Sequence, residues 1–356
     1  MFHTRVCEIF GIKYPIVQSP MNYAITPALV AGVSNAGGLG TIASNMQIDI
    51  PPSTSNANAE HMRSMIREVR KLTNKPFGIN IQHGRVINPE GKGLERFNPQ
   101  SLAVMRVAIE ERVPVAYISM APPDSFVVET LHDAGMKVML IGTTVRHGKR
   151  AEEAGVDAYL CAGYDAGGHS PGHGDTTLFT ELPQVVDALK IPVMAGGCVG
   201  DARGLIAAFA LGAEGIAMGT RFLATYECRW SQKTKQALIN AHDGATVAWG
   251  KILGTGLGRT LKNRFTEMYF EMEMKGATAA ELQAFIDGYK APSGRGLDRK
   301  AGAYFDADLE WGEVYMGMVS GLIKDIKHAG DVVKDIMAEA ERVVARLGAE
   351  RMPARL

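Results

Sequence analysis

The segment Gly163-Tyr-Asp-Ala-Gly-Gly-His169 sets an imidazole on a glycine-rich stretch, with the carboxylate of Asp165 nearby. A histidine exchanges protons near neutral pH with little perturbation, so His169 suits removal of a proton from an activated C–H bond. The bland alternative is a loop histidine bonded to backbone; the glycines and the adjacent carboxylate favour a catalytic base. His169, His173 and Asp175 also lie close together. Ser170-Pro171-Gly172 forbids a helical i,i+4 ligand pair there and no second ligand cluster accompanies them, so no metal site is expected.

Glycine-rich segments recur after apolar runs: Ala166-Gly-Gly168, Ala195-Gly-Gly197 and Met218-Gly219-Thr220. The last two precede helix starts, where freed backbone amides form an anion site. Gly196, Gly197, Gly219 and Thr220 are therefore the phosphate-cradle candidates. Such a cradle suits a flavin mononucleotide (FMN) or a sugar phosphate. Pro20-Met21-Asn22 forms an apolar ledge with accessible backbone amides that could lie under an isoalloxazine ring, and Asn80 sets a carboxamide at another strand end.

These residues need a frame. Apolar runs at 15–21, 39–44, 77–81, 115–119, 137–142, 158–162, 192–197 and 215–219 alternate with amphipathic stretches. They are apolar nearly throughout, which suits parallel strands covered on both faces. Thr26-Pro27 and Asp201 read as helix starts. Eight such units predict an α/β fold, a (β/α)₈ TIM barrel over residues 1–227, and in barrels the loops after strands seven and eight commonly hold phosphate. No strand–GxGxxG–helix pattern competes; Gly254-Thr-Gly256-Leu-Gly258 comes late and reads as a turn.

Residues 228–356 are expected to form a helical substrate or cap region at the barrel mouth. Helices are predicted over 230–242, 278–289 and 331–347, with a capping box at Thr278-Ala-Ala-Glu281 and a loop over 290–303. Val332, Val333, Ile336, Met337, Ala340, Val343, Val344 and Leu347 give the last helix one apolar face for packing back on the barrel. Long loops are expected at 47–59 and 82–99, on the face where barrels build their sites. Arg85, Lys92 and Arg96 of the second suit the pyrophosphate of a nicotinamide or the arm of an acyl carrier.

Bulk numbers exclude other classes. With 38 basic and 38 acidic residues, no global field favours nucleic acid or an anionic membrane. Cys7, Cys161, Cys198 and Cys228 lie far apart without a C-x-x-C pair, which argues against zinc and against a secreted disulfide framework. No apolar h-region and no apolar run of about 18 residues is present, so a cytoplasmic protein without a membrane span is expected. The amphipathic tail is consistent with a homodimer.

Several stretches together resemble the nitronate monooxygenase (2-nitropropane dioxygenase) superfamily of FMN-dependent barrels. They are Pro15-Ile-Val-Gln-Ser-Pro-Met21, Ser34-Asn-Ala-Gly-Gly-Leu-Gly40, Gly163-Tyr-Asp-Ala-Gly-Gly-His169, Ile191-Pro-Val-Met-Ala-Gly-Gly197 and Leu211-Gly-Ala-Glu-Gly-Ile-Ala-Met-Gly-Thr-Arg-Phe-Leu223. Gly258-Arg-Thr-Leu-Lys-Asn263 and 311–321 extend the likeness into the tail. The resemblance implies FMN held by Met21, Asn80, Gly196, Gly197, Gly219 and Thr220, with Pro20, Asn22, Asp165 and Gly168 beside them, and His169 facing a small-molecule substrate. Where some NADH:quinone reductases carry a Lys near the end of strand five, this chain has Ile141-Gly142-Thr143. Oxidation of alkyl nitronates with oxygen is the leading expectation. NAD(P)H-dependent reduction of quinones or enoyl thioesters is the alternative, and a non-catalytic FMN-binding barrel the third.

Overall fold

A strand side chain points alternately to opposite faces, so each apolar run must feed two cores at once. The computed structural model, which describes residues 2–44, 55–83, 98–169, 176–254 and 257–349 apart from the side chains of 55–57 and 169, shows that division. The barrel strands are β1 (Ile16–Gln18), β2 (Gly40–Ile42), β3 (Phe77–Gln82), β4 (Val115–Ser119), β5 (Lys137–Gly142), β6 (Ala158–Ala162), β8 (Val193–Gly196) and β9 (Ile216–Met218). Val115 and Tyr117, Met139, Ala158 and Leu160, Met194 and Ala217 fill the barrel interior. Their neighbours Ala116, Ile118, Val138, Leu140, Tyr159, Cys161, Val193 and Ile216 pack outward against the helices.

All eight strands are parallel, in the spatial order β1-β9-β8-β6-β5-β4-β3-β2. The barrel closes between β1 and β2, where Gln18 N and Leu39 N donate to Leu39 O and Ile16 O, both at 2.9 Å. The Gln18 carboxamide seals this seam by accepting from Thr41 N at 2.9 Å. Val6, Cys7 and Phe10 of the helix Arg5–Phe10 join the interior cluster and plug one end of the barrel. The (β/α)₈ expectation is met, with Thr26 and Asp201 as side-chain helix caps.

The tail departs from a purely helical reading. β10 (Thr246–Trp249), β11 (Gly258–Leu261) and the two-residue β7 (Gly168–His169) form an antiparallel sheet. The segment carrying His169 is thus a strand and not a free loop. Residues 290–303 are not all loop either, because Asp298 caps the helix Arg299–Phe305 by accepting from Ala301 N at 2.8 Å. A helix Arg264–Met274, capped by Asn263, was also not expected. Ser55–Leu72 is helical, shortening the expected 47–59 loop; the rest of that loop, and most of 82–99 with Arg85, Lys92 and Arg96, fall outside the described residues, as do His173 and Asp175.

The tail has its own aromatic core of Trp230, Trp249, Phe265, Tyr269, Tyr304 and Tyr315. The helix Ala329–Leu347 leaves it and buries Ala329, Val332, Val333, Ile336, Met337, Ala340 and Val343 in the barrel's outer core. Among the described residues, no helix is long and apolar enough to cross a membrane.

Candidate active site

Inward-pointing residues at the carboxyl ends of the strands cannot all be packed by side chains, because the loops diverge there. A cavity of about 520 Å³ opens above the last interior layer. Its floor is Asn80, Tyr117, Ser119, Ile141, Leu160 and Ala162. Around the floor stand the sequence-named residues Pro20, Met21, Asn22, Gly168, Gly196, Gly197, Gly219 and Thr220. Residues from seven of the eight barrel strands or the turns just after them therefore meet in one place.

Hydrogen bonds fix the first of these groups. Asn80 Nδ2 donates to Tyr117 O at 2.8 Å and Ser119 Oγ at 3.0 Å, and Ser44 Oγ donates to Asn80 Oδ1 at 3.0 Å. The carboxamide is held rigid against the barrel wall. Gly197 has φ +101°, and a β-carbon there would lie 2.4 Å from Cβ of Ala166. Only glycine lets these two loops touch. Gly219 begins the short helix Thr220–Leu223 with no side chain capping it, so its first backbone N–H groups are left for another acceptor.

Asp165 is the one cofactor candidate that does not line the cavity. Its Oδ1 accepts from Leu178 N at 3.1 Å, and it bonds the Cys198 thiol, whose pKa is raised by burial and by this carboxylate. Asp165 therefore braces the loop from behind. Its carbonyl accepts from Met318 N at 3.1 Å, and Thr220 Oγ1 accepts from Gly317 N at 3.0 Å, so the tail is stitched to both glycine loops. His169 is placed by its backbone, opposite Gly258 of β11. Arg259, next in that strand, is buried; its Nε donates to Tyr164 O at 3.2 Å and its guanidinium lies 4.6 Å from the Tyr164 ring. β11 thus clamps the segment that carries the histidine.

The far wall of the cavity comes from residues that the sequence did not single out: Tyr23, Leu223, Trp230, Lys300, Tyr304, Tyr315 and Met316. Trp230 stacks on Tyr304 with centroids 4.5 Å apart. Tyr304 OH accepts from Tyr315 N at 3.4 Å, and complete burial drives its own pKa far up. Tyr23 OH donates to Asp298 at 3.2 Å, and Lys300 Nζ lies 5.6 Å over the Tyr315 ring. Tyr23 (φ 63°) and Met120 (φ 83°) are non-glycine residues in left-handed backbone, and both line the cavity. Strain of this kind collects at functional sites. The i,i+4 spacing of Lys300 and Tyr304 was the available signal, hidden by reading that stretch as loop.

The cavity is lined by glycine backbone from the barrel loops, by aromatic rings and a lysine from the tail, and by Gly168 of the strand that carries the histidine. The family model described as nitronate monooxygenase matches residues 3–339 of the chain. A probable nitronate monooxygenase of Staphylococcus aureus (strain JH9) is 32% identical over 76% of this chain and 81% of its own length. A Rhodococcus jostii (strain RHA1) enzyme, (3aS,4S,5R,7aS)-5-hydroxy-7a-methyl-1-oxo-octahydro-1H-indene-4-carboxyl-CoA dehydrogenase, is 31% identical across 98% of both chains. Among solved structures, FabK from Thermotoga maritima superposes with a TM-score of 0.81 at 32% identity, covering 98% of this chain and 99% of its own.

Proposed function

The chain belongs to the nitronate monooxygenase family, and from that premise we propose that this oxidoreductase binds FMN and oxidises alkyl nitronates with molecular oxygen. The single observation that carries the reading is the cavity itself, where glycine backbone from three barrel loops faces the Pro20-Met21-Asn22 ledge.

The donor set fits a flavin mononucleotide. Its phosphate would meet the first main-chain N–H groups at Gly219 and Thr220, where no side chain caps the helix start, with the backbone of Gly196 and Gly197 beside it. The ring would lie on the ledge beside Asn80. Trp230, another lining residue, keeps a buried indole N–H without a protein acceptor among the described residues. A cavity of about 520 Å³ is also in the range of small-molecule sites. Bound FMN supplies a two-electron acceptor that oxygen can reoxidise. The protein's part is to hold the substrate against the aromatic wall, to exclude water there, and to take the α-proton of a neutral nitroalkane on His169.

A second reading is a flavin-dependent oxidation or reduction beside a thioester carbonyl, favoured by the Rhodococcus jostii relative, a carboxyl-CoA dehydrogenase matched from end to end. A neutral nitroalkane and a thioester both place an acidified C–H next to an electron-withdrawing group. Anaerobic stopped-flow of the purified yellow protein separates them. Bleaching by propyl nitronate alone supports the first reading; rapid bleaching by NADH or NADPH, or by an acyl-CoA, overturns it. His169→Ala is expected to cut turnover of neutral nitroalkanes by about 100-fold with flavin retained, and loss of flavin instead would refute the proposed role. A colourless protein that binds no FMN would overturn both readings.

A further inference from the structure

Tyr315 reaches the cavity from the far end of the chain. Its backbone bridges Thr260 of β11 in antiparallel fashion, and its side chain lines the cavity wall. A β-carbon on Gly258 would lie 3.2 Å from the Tyr315 hydroxyl, and Gly258 is the residue paired with His169. The missing side chain at Gly258 is what lets the tyrosine lie against the strand pair that carries the histidine. Behind it, the Tyr315 hydroxyl is hydrogen-bonded to the carboxyl of Glu313, which is only 4% exposed.

We propose that Tyr315 is a second catalytic residue of this cavity, its hydroxyl bonding the electron-rich oxygen of the substrate, with Glu313 as the residue that positions it. The inference rests on the cavity being the substrate site. When a C–H beside a nitro or thioester group gives its proton to a base, the bonding pair runs into that group and negative charge lands on oxygen. A hydroxyl aimed at that oxygen stabilises the charge without forming or breaking a covalent bond. In its acid form Glu313 donates to the Tyr315 oxygen and leaves the tyrosine proton for the substrate; as a carboxylate it claims that proton. The groups facing the pair are Lys300, Arg299, Asp298 and Tyr304. Burial raises the pKa of Glu313, and the nearby cations offset this only in part, so the acid form persists above the ordinary carboxylate range.

The test compares wild type, Tyr315→Phe and Glu313→Gln as flavin-loaded proteins in anaerobic stopped-flow. 1-Nitropropane, whose α-C–H is intact, and butyryl-CoA serve as alternative reductants across a pH series, and propyl nitronate, already deprotonated, is the control that bypasses the step. Tyr315→Phe is expected to keep its flavin and melting temperature while its limiting reduction rate falls about 100-fold, with the half-saturating concentration little changed. Wild type is expected to slow as pH rises, and Glu313→Gln, whose amide stays a donor at every pH, is expected to lack that alkaline decline. A Tyr315→Phe rate within about threefold of wild type, or a loss that appears only in the half-saturating concentration, overturns the catalytic assignment. An unchanged alkaline limb in Glu313→Gln overturns the positioning role. If butyryl-CoA bleaches wild type and the nitronate does not, the nitronate reading fails while Tyr315 is still judged on the thioester. If neither bleaches it, the proposal falls with the site.

Discussion

The barrel and the tail each build one wall of the same cavity, and they do it with different materials. The barrel wall joins glycine loops to a floor of strand side chains, Asn80, Tyr117, Ile141 and Leu160, on strands whose alternation puts Tyr117 and Leu160 inward and Ile118 and Cys161 outward. The tail wall is side chains: Trp230, Lys300, Tyr304 and Tyr315 on an aromatic core. One buried cation ties that core together. Arg299 donates to the carbonyls of Phe285, Ile286 and Trp311 at 2.7, 3.1 and 2.6 Å, and its guanidinium lies over the rings of Phe265, Phe285 and Tyr289. Under the proposed function, the barrel loops would hold the cofactor and the tail side chains would meet the substrate.

The sharpest way to break this contrast is to remove the cation. Arg299→Met removes the donors of three part-buried carbonyls and the cation from three rings, and should cost about 3 kcal/mol. The tail is then expected to be cut by protease while the barrel survives; a single cooperative melt with uniform cleavage would mean the two cores are one unit. Gly197→Ala attacks the other wall. Positive φ and the 2.4 Å approach to Ala166 put its cost at about 2–3 kcal/mol, with loss of bound flavin in absorbance spectra. A stable, flavin-replete variant would show that the glycine cradle is not needed.

Acidity should act on the two regions with opposite sign. In the barrel layer, burial pushes Glu111 up, but hydrogen bonds from Arg67 and Arg63 outweigh it and hold its pKa low. A depressed carboxylate contributes stability above its unfolded pKa of about 4.3 and loses it as pH falls through the folded value. Glu313 in the tail is raised, so its contribution is complete below that unfolded value and is lost as pH rises through the folded one. Melting temperature against pH should therefore lose its alkaline decline in Glu313→Gln and part of its acid decline in Glu111→Gln. The same limb vanishing in both would refute the contrast. The smallest effect belongs to Thr278→Ala at the tail's exposed rim. It removes the acceptor of Glu281 N and half of a capping box, for about 1 kcal/mol in chemical denaturation.

Legibility in the sequence follows the same division. Parallel strands 115–119, 137–142 and 158–162 were readable residue for residue, because each is a short apolar run set off by helical spacing. The final helix was readable for the same reason; Val332, Val333, Ile336, Met337 and Ala340 repeat at its turn period and are buried. The sheet of β7, β10 and β11 was not readable. β7 and β11 are about ninety positions apart, and a two-residue strand has no period. Tyr315 and Glu313 carry no motif either, since their importance lies in what folds against them.

The chain's own pattern therefore determined the barrel strands and the final helix, and it set the glycines and His169 just after strand ends, all of which follow from local periodicity. Tertiary structure alone decided that Asp165 turns away from the cavity to brace Leu178, that β11 grips the His169 segment, and that Tyr315 rises beside it. The physical reason is that loop closure over long sequence separations is dictated by packing and not by neighbours along the chain.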